Sequence, residues 1–369
     1  MRRLALILCC FTITITTAAC GGNESKKKDG ATVPEDLGPD AVPELGASPA
    51  FTVMGSPIDG LNVPRDLAFH PTRDELWTVN REDDSVTIFF HPGMVTQSSQ
   101  NLTDGYAMHF MEESSSIAFG QPGFFGTCGE TRNTYNGQAP PNDYMGPVLW
   151  SDDLAVFAQP SGTELGSHLD MLHESPNCMG MAWDTGNVYW VFDGHNANLV
   201  RYDFDQDHGP GNDNHGDGIV RRFTDIELTR QPDVISDMVI DHTTGLLYIA
   251  DTATGRILWV DTTTGAMTGD LDSIESGGAA PDEYTEWRGA KSGLVARNLD
   301  APSGLALDGN RLFVTEHGRG SITVFDLDEE KAIGRLDTPA TSIMGIELGP
   351  DGKLWYVDAG SNELVRVDP

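Results

Sequence analysis

Cysteine is scarce in this chain, and so are basic residues: five cysteines and 23 lysines plus arginines stand beside 56 acids in 369 residues. The deficit of positive charge leaves a formal net charge of −33. So acidic a surface repels phosphate backbones and anionic head groups, which argues against nucleic acid as a partner and against an electrostatic membrane contact. Long apolar runs are equally rare. The clearest, Leu4 to Ile15, is shorter than the roughly 20 residues that span a bilayer. A Gly-rich phosphate loop, a Gly-x-Ser-x-Gly nucleophile and a His-Glu-x-x-His helix are also missing. No nucleotide or flavin site is therefore expected.

What is there begins with an export signal. Arg2 and Arg3 precede the apolar run, and Thr17-Ala18-Ala19-Cys20 follows it, the layout of a cleavable segment over residues 1–19. Cys20 directly behind small residues resembles a lipobox, with Thr17 where leucine is usual. The resemblance implies a diacylated Cys20 and a bacterial-type lipoprotein anchored in the cell envelope through lipid alone. Gly21, in place of the aspartate that favours inner-membrane retention in enteric bacteria, points to the outer membrane. An ordinary secretory peptide with a coincidental cysteine is the other reading. Residues 20–50 are rich in Gly, Pro, Ala, Lys and acids and poor in large apolar side chains, so a disordered tether is expected there. Once Cys9, Cys10 and Cys20 are accounted for, Cys128 and Cys178 remain in the domain. An oxidising compartment makes them a disulfide pair; two buried thiols are the alternative.

From residue 51 onward the texture is all-β: short apolar alternations split by Gly, Asn, Asp and Pro. The segments repeat. Asn62 to Pro71, Glu75 to Asn80 and Ser85 to Phe89 set an order that returns from Cys178 to Asp203, at 236–261, from Pro302 to Asp326 and from Met344 to Asp368. A sixth, degenerate copy fits between Ser115 and Ala158, with Leu154 to Ala158 as its last segment. Six such units build a β-propeller, because each small sheet buries its faces only against its neighbours. The last copy stops after its third strand, and Phe51 to Met54 is the spare strand, so the N-terminal strand is expected to complete the last blade. One domain, residues 51–369, and a monomer are expected.

These residues resemble NHL-type repeats, above all in Asp358-Ala359-Gly360-Ser361-Asn362 and Asp251-Thr252-Ala253-Thr254-Gly255-Arg256. The resemblance covers nearly everything after residue 60 and implies a six-bladed propeller. It implies little about activity, since propellers share scaffolds across unrelated functions. Within that frame, the turns between second and third strands and the segments entering first strands face one end of the axis. Arg65, Arg81, Glu130, Arg132, His173, Asp193, His195, Asp237, Glu316 and His317 fall there and form the candidate top-face site. Imidazoles with carboxylates suit a transition metal. The related amidating lyases place zinc on axial histidines at equivalent positions of the repeat, and only His173 approaches such a position. Gluconolactonase-type propellers use axial acids, for which Glu130, Asp237 and Glu316 are candidates. Capped turns and surface decoration explain the same residues without a metal.

Two loops stand out. Asp203, Asp205, Asp207, Asn212 and Asp213 alternate oxygen donors in a way that suits calcium, although the EF-hand pattern breaks at Gly209 and Asn214. A solvated acidic loop is the other reading, and its place after a third strand predicts the face opposite the histidines. The stretch from Gly120 to Pro147 is long and polar, and reads as a lid over the top face or a loose insertion. The tryptophans fall within strands and fit core packing between blades. Two functions follow as expectations: a binding or scaffold module for a protein, peptide or glycan partner, or a metal-dependent hydrolase, lactonase or lyase with an axial site. Calcium is the favoured cofactor and a transition metal the weaker one.

Overall fold

The computed structural model describes residues 30–35, 37–39, 42–134, 137–212, 214–275 and 280–369. Cys20, the signal segment and Asp213 lie outside the described residues. Six sheets, antiparallel but for one pairing, ring one axis. Their innermost strands are Pro64–Phe69, Ser114–Phe119, Cys178–Thr185, Met238–Asp241, Pro302–Asp308 and Ile343–Leu348. The ring closes as expected: Ala50–Gly55 pairs antiparallel with Glu363–Asp368, with Phe51 opposite Val367 and Val53 opposite Val365.

The acid that ends the second strand of blades three to six has a physical job. Asp251 Oδ1 accepts from the Thr229 amide (2.7 Å), Glu316 Oε2 from Asp300 (2.9 Å) and Asp358 Oδ1 from Ser342 (2.8 Å). In each case the amide belongs to the segment leading into the same blade, so the carboxylate fixes where that blade starts. Asn80 serves blade one the same way, accepting from Asn62 at 3.0 Å. These sites therefore carry Glu316 as a structural residue. Asp193 is likewise fully buried, held by Arg222 at 2.6 Å and by the His195 and Asn196 amides.

Aromatic side chains cement the blades. Trp77 of blade one meets Phe119 and Phe125 of blade two edge-on, at 5.3 and 5.0 Å between centroids, and Trp355 of blade six meets Phe69 at 5.7 Å. Trp77, Trp150, Trp190 and Trp355 are all buried. The disulfide joins Cys128, near the end of the second strand of blade two, to Cys178, at the start of blade three.

Three details depart from the sequence reading. Leu154 to Ala158 is a turn capped by Asp153, whose side chain accepts from the Ala155 amide at 2.9 Å; the fourth strand of blade two is Asp170–Met171. Blade three grows to six strands, because a hairpin inserted in blade four, Ala266–Asp270 and Glu283–Arg288, adds its second arm parallel to Ile219–Glu227. The segment expected as tether also packs from residue 30 onward. The Ala31 amide donates to the Val295 carbonyl at 2.8 Å, and Glu44 pairs with Arg311 at 2.6 Å. Val42 and Leu45, 1% and 0% exposed, join Phe313, Val324 and Val365 in one core cluster. Two apolar side chains spaced for one turn suffice to dock a stretch that is otherwise polar. Leu45→Ala is expected to cost about 2–4 kcal/mol in chemical denaturation. A change within about 0.5 kcal/mol, the usual range for solvated positions, would return this segment to the tether.

Candidate metal centre

The axis is where propellers of this plan offer their deepest space, and here one mouth is filled by the chain itself. The connection from blade three to blade four carries Val234 and Ile235, 3% and 1% exposed. They cluster with Leu61 and Leu67 of blade one and Met344 and Val357 of blade six, which stand across the ring, so this loop crosses the axis. Charges seal its rim. Arg230 meets Glu130 at 2.6 Å, the Asp233 amide donates to Glu130 at 3.0 Å, and Arg81 bridges Glu113 (2.8 Å) and Asp233 (3.1 Å). Arg65 is buried beneath them, with Nη1 3.7 Å from Met344 Sδ. Burial pushes the Glu130 carboxyl upward. The expected axial site on the top face is therefore corrected: its carboxylate and arginines hold a plug.

Below the plug runs a cavity of about 250 Å³, lined by the innermost strands and opening toward the ends of those strands at Phe69, Phe119, Trp183 and His242. Asp66, Asp237 and Glu347 line it. Asp66 accepts from Ser116 Oγ (2.9 Å) and the Ile117 amide (3.0 Å), and Asp237 from the Leu305 amide (2.8 Å), so each aspartate stitches its blade to the next. Burial, then the Asp66 carboxylate, pushes Asp237 well above the carboxylate range, and burial pushes Glu347 up to about 8.

Among the described residues, a converging set of metal-capable donors lies elsewhere, at the outer edges of blades two and three. His173 follows the short fourth strand of blade two; His215 ends the acidic loop; Glu275 comes from the hairpin inserted in blade four. One ligand atom from each lies within 4.8 Å of the others. The rings of His173 and His215 stand 5.1 Å apart, and His173 Nδ1 meets Glu275 Oε1. His215 Nδ1 lies 3.0 Å from Asp170 Oδ1. An ionised carboxylate only accepts, so this contact puts the proton on Nδ1 and the lone pair on Nε2, the arrangement by which carboxylates orient metal-binding imidazoles. Glu174 positions the hairpin, accepting from Ser273 Oγ at 2.6 Å and from the Ile274 amide at 3.0 Å.

The long insertion leaves the plug at Glu130, and its later part, residues 142–147, stands against this centre. Tyr144 lies 5.7 Å from the His173 ring and donates from its hydroxyl to the Ile274 carbonyl at 3.1 Å. At its end Gly146 approaches Leu172 so closely that a Cβ would sit 2.0 Å from the Leu172 carbonyl oxygen. Within the insertion Arg132 Nε donates to Asp143 at 2.8 Å, and His195 Nε2 stands 3.9 Å from the same carboxylate. His317 is remote from this group, with Nδ1 3.2 Å from the Ile343 carbonyl. Of the sequence-predicted histidines, only His173 joins the centre.

The acidic loop also differs from expectation. Asp203 and Asp207 turn back on the Asp205 and Gly209 amides (3.1 and 2.7 Å), Asp205 meets Gln206, and Asn212 donates to the His208 carbonyl. Among the described residues these contacts are local, and Asp203, Asp205 and Asp207 form no group of converging carboxylates. The loop climbs the flank of the propeller, so His215 reaches His173, where opposite faces were expected. The metal-capable side chains that this loop brings into converging groups are His208, His215 and Asp217, the last with Asp170 of blade two. Their histidines were visible in the sequence; Glu275 carried no signal there.

No protein-family model and no curated protein sequence matches the chain. Solved structures do resemble it. A luciferin-regenerating enzyme superposes with a TM-score of 0.55 at 12% identity, covering 87% of this chain and 96% of that one. An auxiliary nutrient binding protein from Bacteroides ovatus gives 0.54 at 12% identity, over 87% and 77%. A calcium-binding protein, regucalcin, from Agrobacterium tumefaciens gives 0.50 at 12%, over 86% and 93%. At these identities the likeness is one of fold.

The channel acids make a pH test. Glu347 keeps its proton in the fold up to about 8 but releases it near 4.5 when unfolded. Between those values the folded state binds the extra proton, so stability falls as pH rises, by at most about 1.4 kcal/mol per unit for one group. Glu347→Gln and Asp237→Asn should each gain stability over the parent between pH 5 and 8 in denaturant titrations. A difference that does not grow with pH would contradict the raised values.

Proposed function

We propose that this chain is a lipid-anchored binding module of the cell envelope, held through Cys20 in the outer membrane. Its partner, a protein or peptide, docks on the rim over blades two and three. A divalent transition metal at His173, His215 and Glu275 keeps that rim in shape. The observation that carries the reading is the convergence of these three ligands, from three separate stretches of chain, beneath the insertion. Neutral imidazole and carboxylate suit zinc. The side chains of His173, His215 and Glu275 are 11%, 3% and 7% exposed, which leaves a substrate no room and makes the metal a staple.

Around that staple the surface is apolar. Tyr144 and Ile274 are more than a third exposed and bonded to each other, and Met108 precedes His109, whose ring lies 6.4 Å from His173. Exposed apolar groups ordered on a rigid frame are what a protein partner would cover. The donor set supports a second reading, since two histidines and a glutamate are also the ligands of hydrolytic zinc sites. That reading needs the insertion to lift.

Photo-crosslinking in the native envelope separates them. A photoreactive residue at Tyr144 should give one discrete protein adduct. The same residue at Val95, exposed on a different loop, should give none, and His215→Ala should abolish the Tyr144 adduct. Equal labelling at both positions, or metal-dependent turnover of an ester or lactone lost in His215→Ala, would overturn the binding reading.

A further inference from the structure

Asp170 is 1% exposed, and only one of its oxygens is accounted for. Oδ1 accepts from His215 Nδ1 at 3.0 Å and from the Met171 amide at 2.7 Å. Oδ2 is buried and meets no hydrogen-bond partner among the described residues. A buried acceptor left without a donor costs about 1–3 kcal/mol, more when charged, so something should satisfy it. Close by stand His208 and Asp217, paired at 2.9 Å between Nε2 and Oδ1. One ligand atom from each of Asp170, His208 and Asp217 lies within 4.8 Å of the others.

Two carboxylates and an imidazole gather about minus two charges at a flank where side-chain exposure is 0% for Asp170, 14% for His208 and 25% for Asp217. We infer that Asp170, His208 and Asp217 bind a second divalent cation, and that Asp170 links it to the first through His215. The inference rests on the reading of His173, His215 and Glu275 as a metal centre. Mixed nitrogen and carboxylate donors select a first-row ion such as zinc or manganese, whereas calcium takes six to eight oxygens. Asp217 and His208 are partly open, so this position keeps room for water or for an acidic group of the partner. The link has a consequence: a cation drawing on Asp170 weakens its hold on His215, and the two sites bind interdependently.

Zinc counting on the full chain, stripped with chelator, reloaded and dialysed, tests this. Two equivalents per chain are expected, falling to one in Asp217→Asn and in His208→Ala, and to one in His173→Ala. Removing a link residue should weaken the remaining site by about 10–100-fold, so Asp170→Asn should lose the second ion and lower affinity for the first. Asp217→Asn, at a partly exposed position, keeps the test open if Asp170→Asn does not fold. One equivalent in the parent, lost in His173→Ala and untouched by Asp217→Asn, would overturn the second site while leaving the first. No zinc in the parent would sink the metal centre itself. Two equivalents indifferent to His208→Ala and Asp217→Asn would also overturn the proposal.

Discussion

Everything in this molecule depends on one strand pairing, that of Ala50–Gly55 with Glu363–Asp368. A radial propeller has no core of its own in any single blade; each sheet is buried only because the next one stands against it. Joining Ala50–Gly55 to the last strand in one sheet turns a row of sheets into a ring and covers the edge of Glu363–Asp368 that would otherwise stand open. The packing then follows, with Trp77 wedged against Phe119 and Phe125 and Trp355 against Phe69. Val42 and Leu45 extend the closure by packing just before the closing strand into the cluster of blades five and six.

A closed ring creates an axis, and the chain treats its two ends differently. At one end Val234 and Ile235 reach across and meet blades one and six, under a lattice of Arg65, Arg81, Arg230, Glu113, Glu130 and Asp233. The other end keeps a narrow cavity with three carboxyls whose burial favours their neutral forms. With the top of the axis filled, insertions gather at the rim. Those in blade two, after blade three's third strand and in blade four all meet over blades two and three, where the histidines collect.

The fold was legible because its signals are local and repeat. The acid at the end of four of the second strands, the turn behind it and the alternating strand are each written within a few residues and recur with little change. The closing strand followed from counting. What the sequence hid is what depends on distance between repeats. Glu275 lies about a hundred residues from His173 and reaches it only because Glu283–Arg288 joins the neighbouring blade in parallel, a pairing that no local pattern announces. Asp203, Asp205 and Asp207 have the spacing of a chelating loop, yet Asp203 and Asp207 bond amides two residues on and Asp205 bonds the Gln206 side chain. His317 faces the Ile343 carbonyl, and His195 reaches Asp143 of the insertion that packs on His173.

A metal held by His173, His215 and Glu275 would sit on the flank of the propeller and not on its axis. Anomalous diffraction at the zinc edge, from crystals of the metal-loaded chain, tests it most directly. A peak among His173, His215 and Glu275 is the expected result. A peak between Asp66, Asp237 and Glu347, with none on the flank, would contradict it and return the site to the channel.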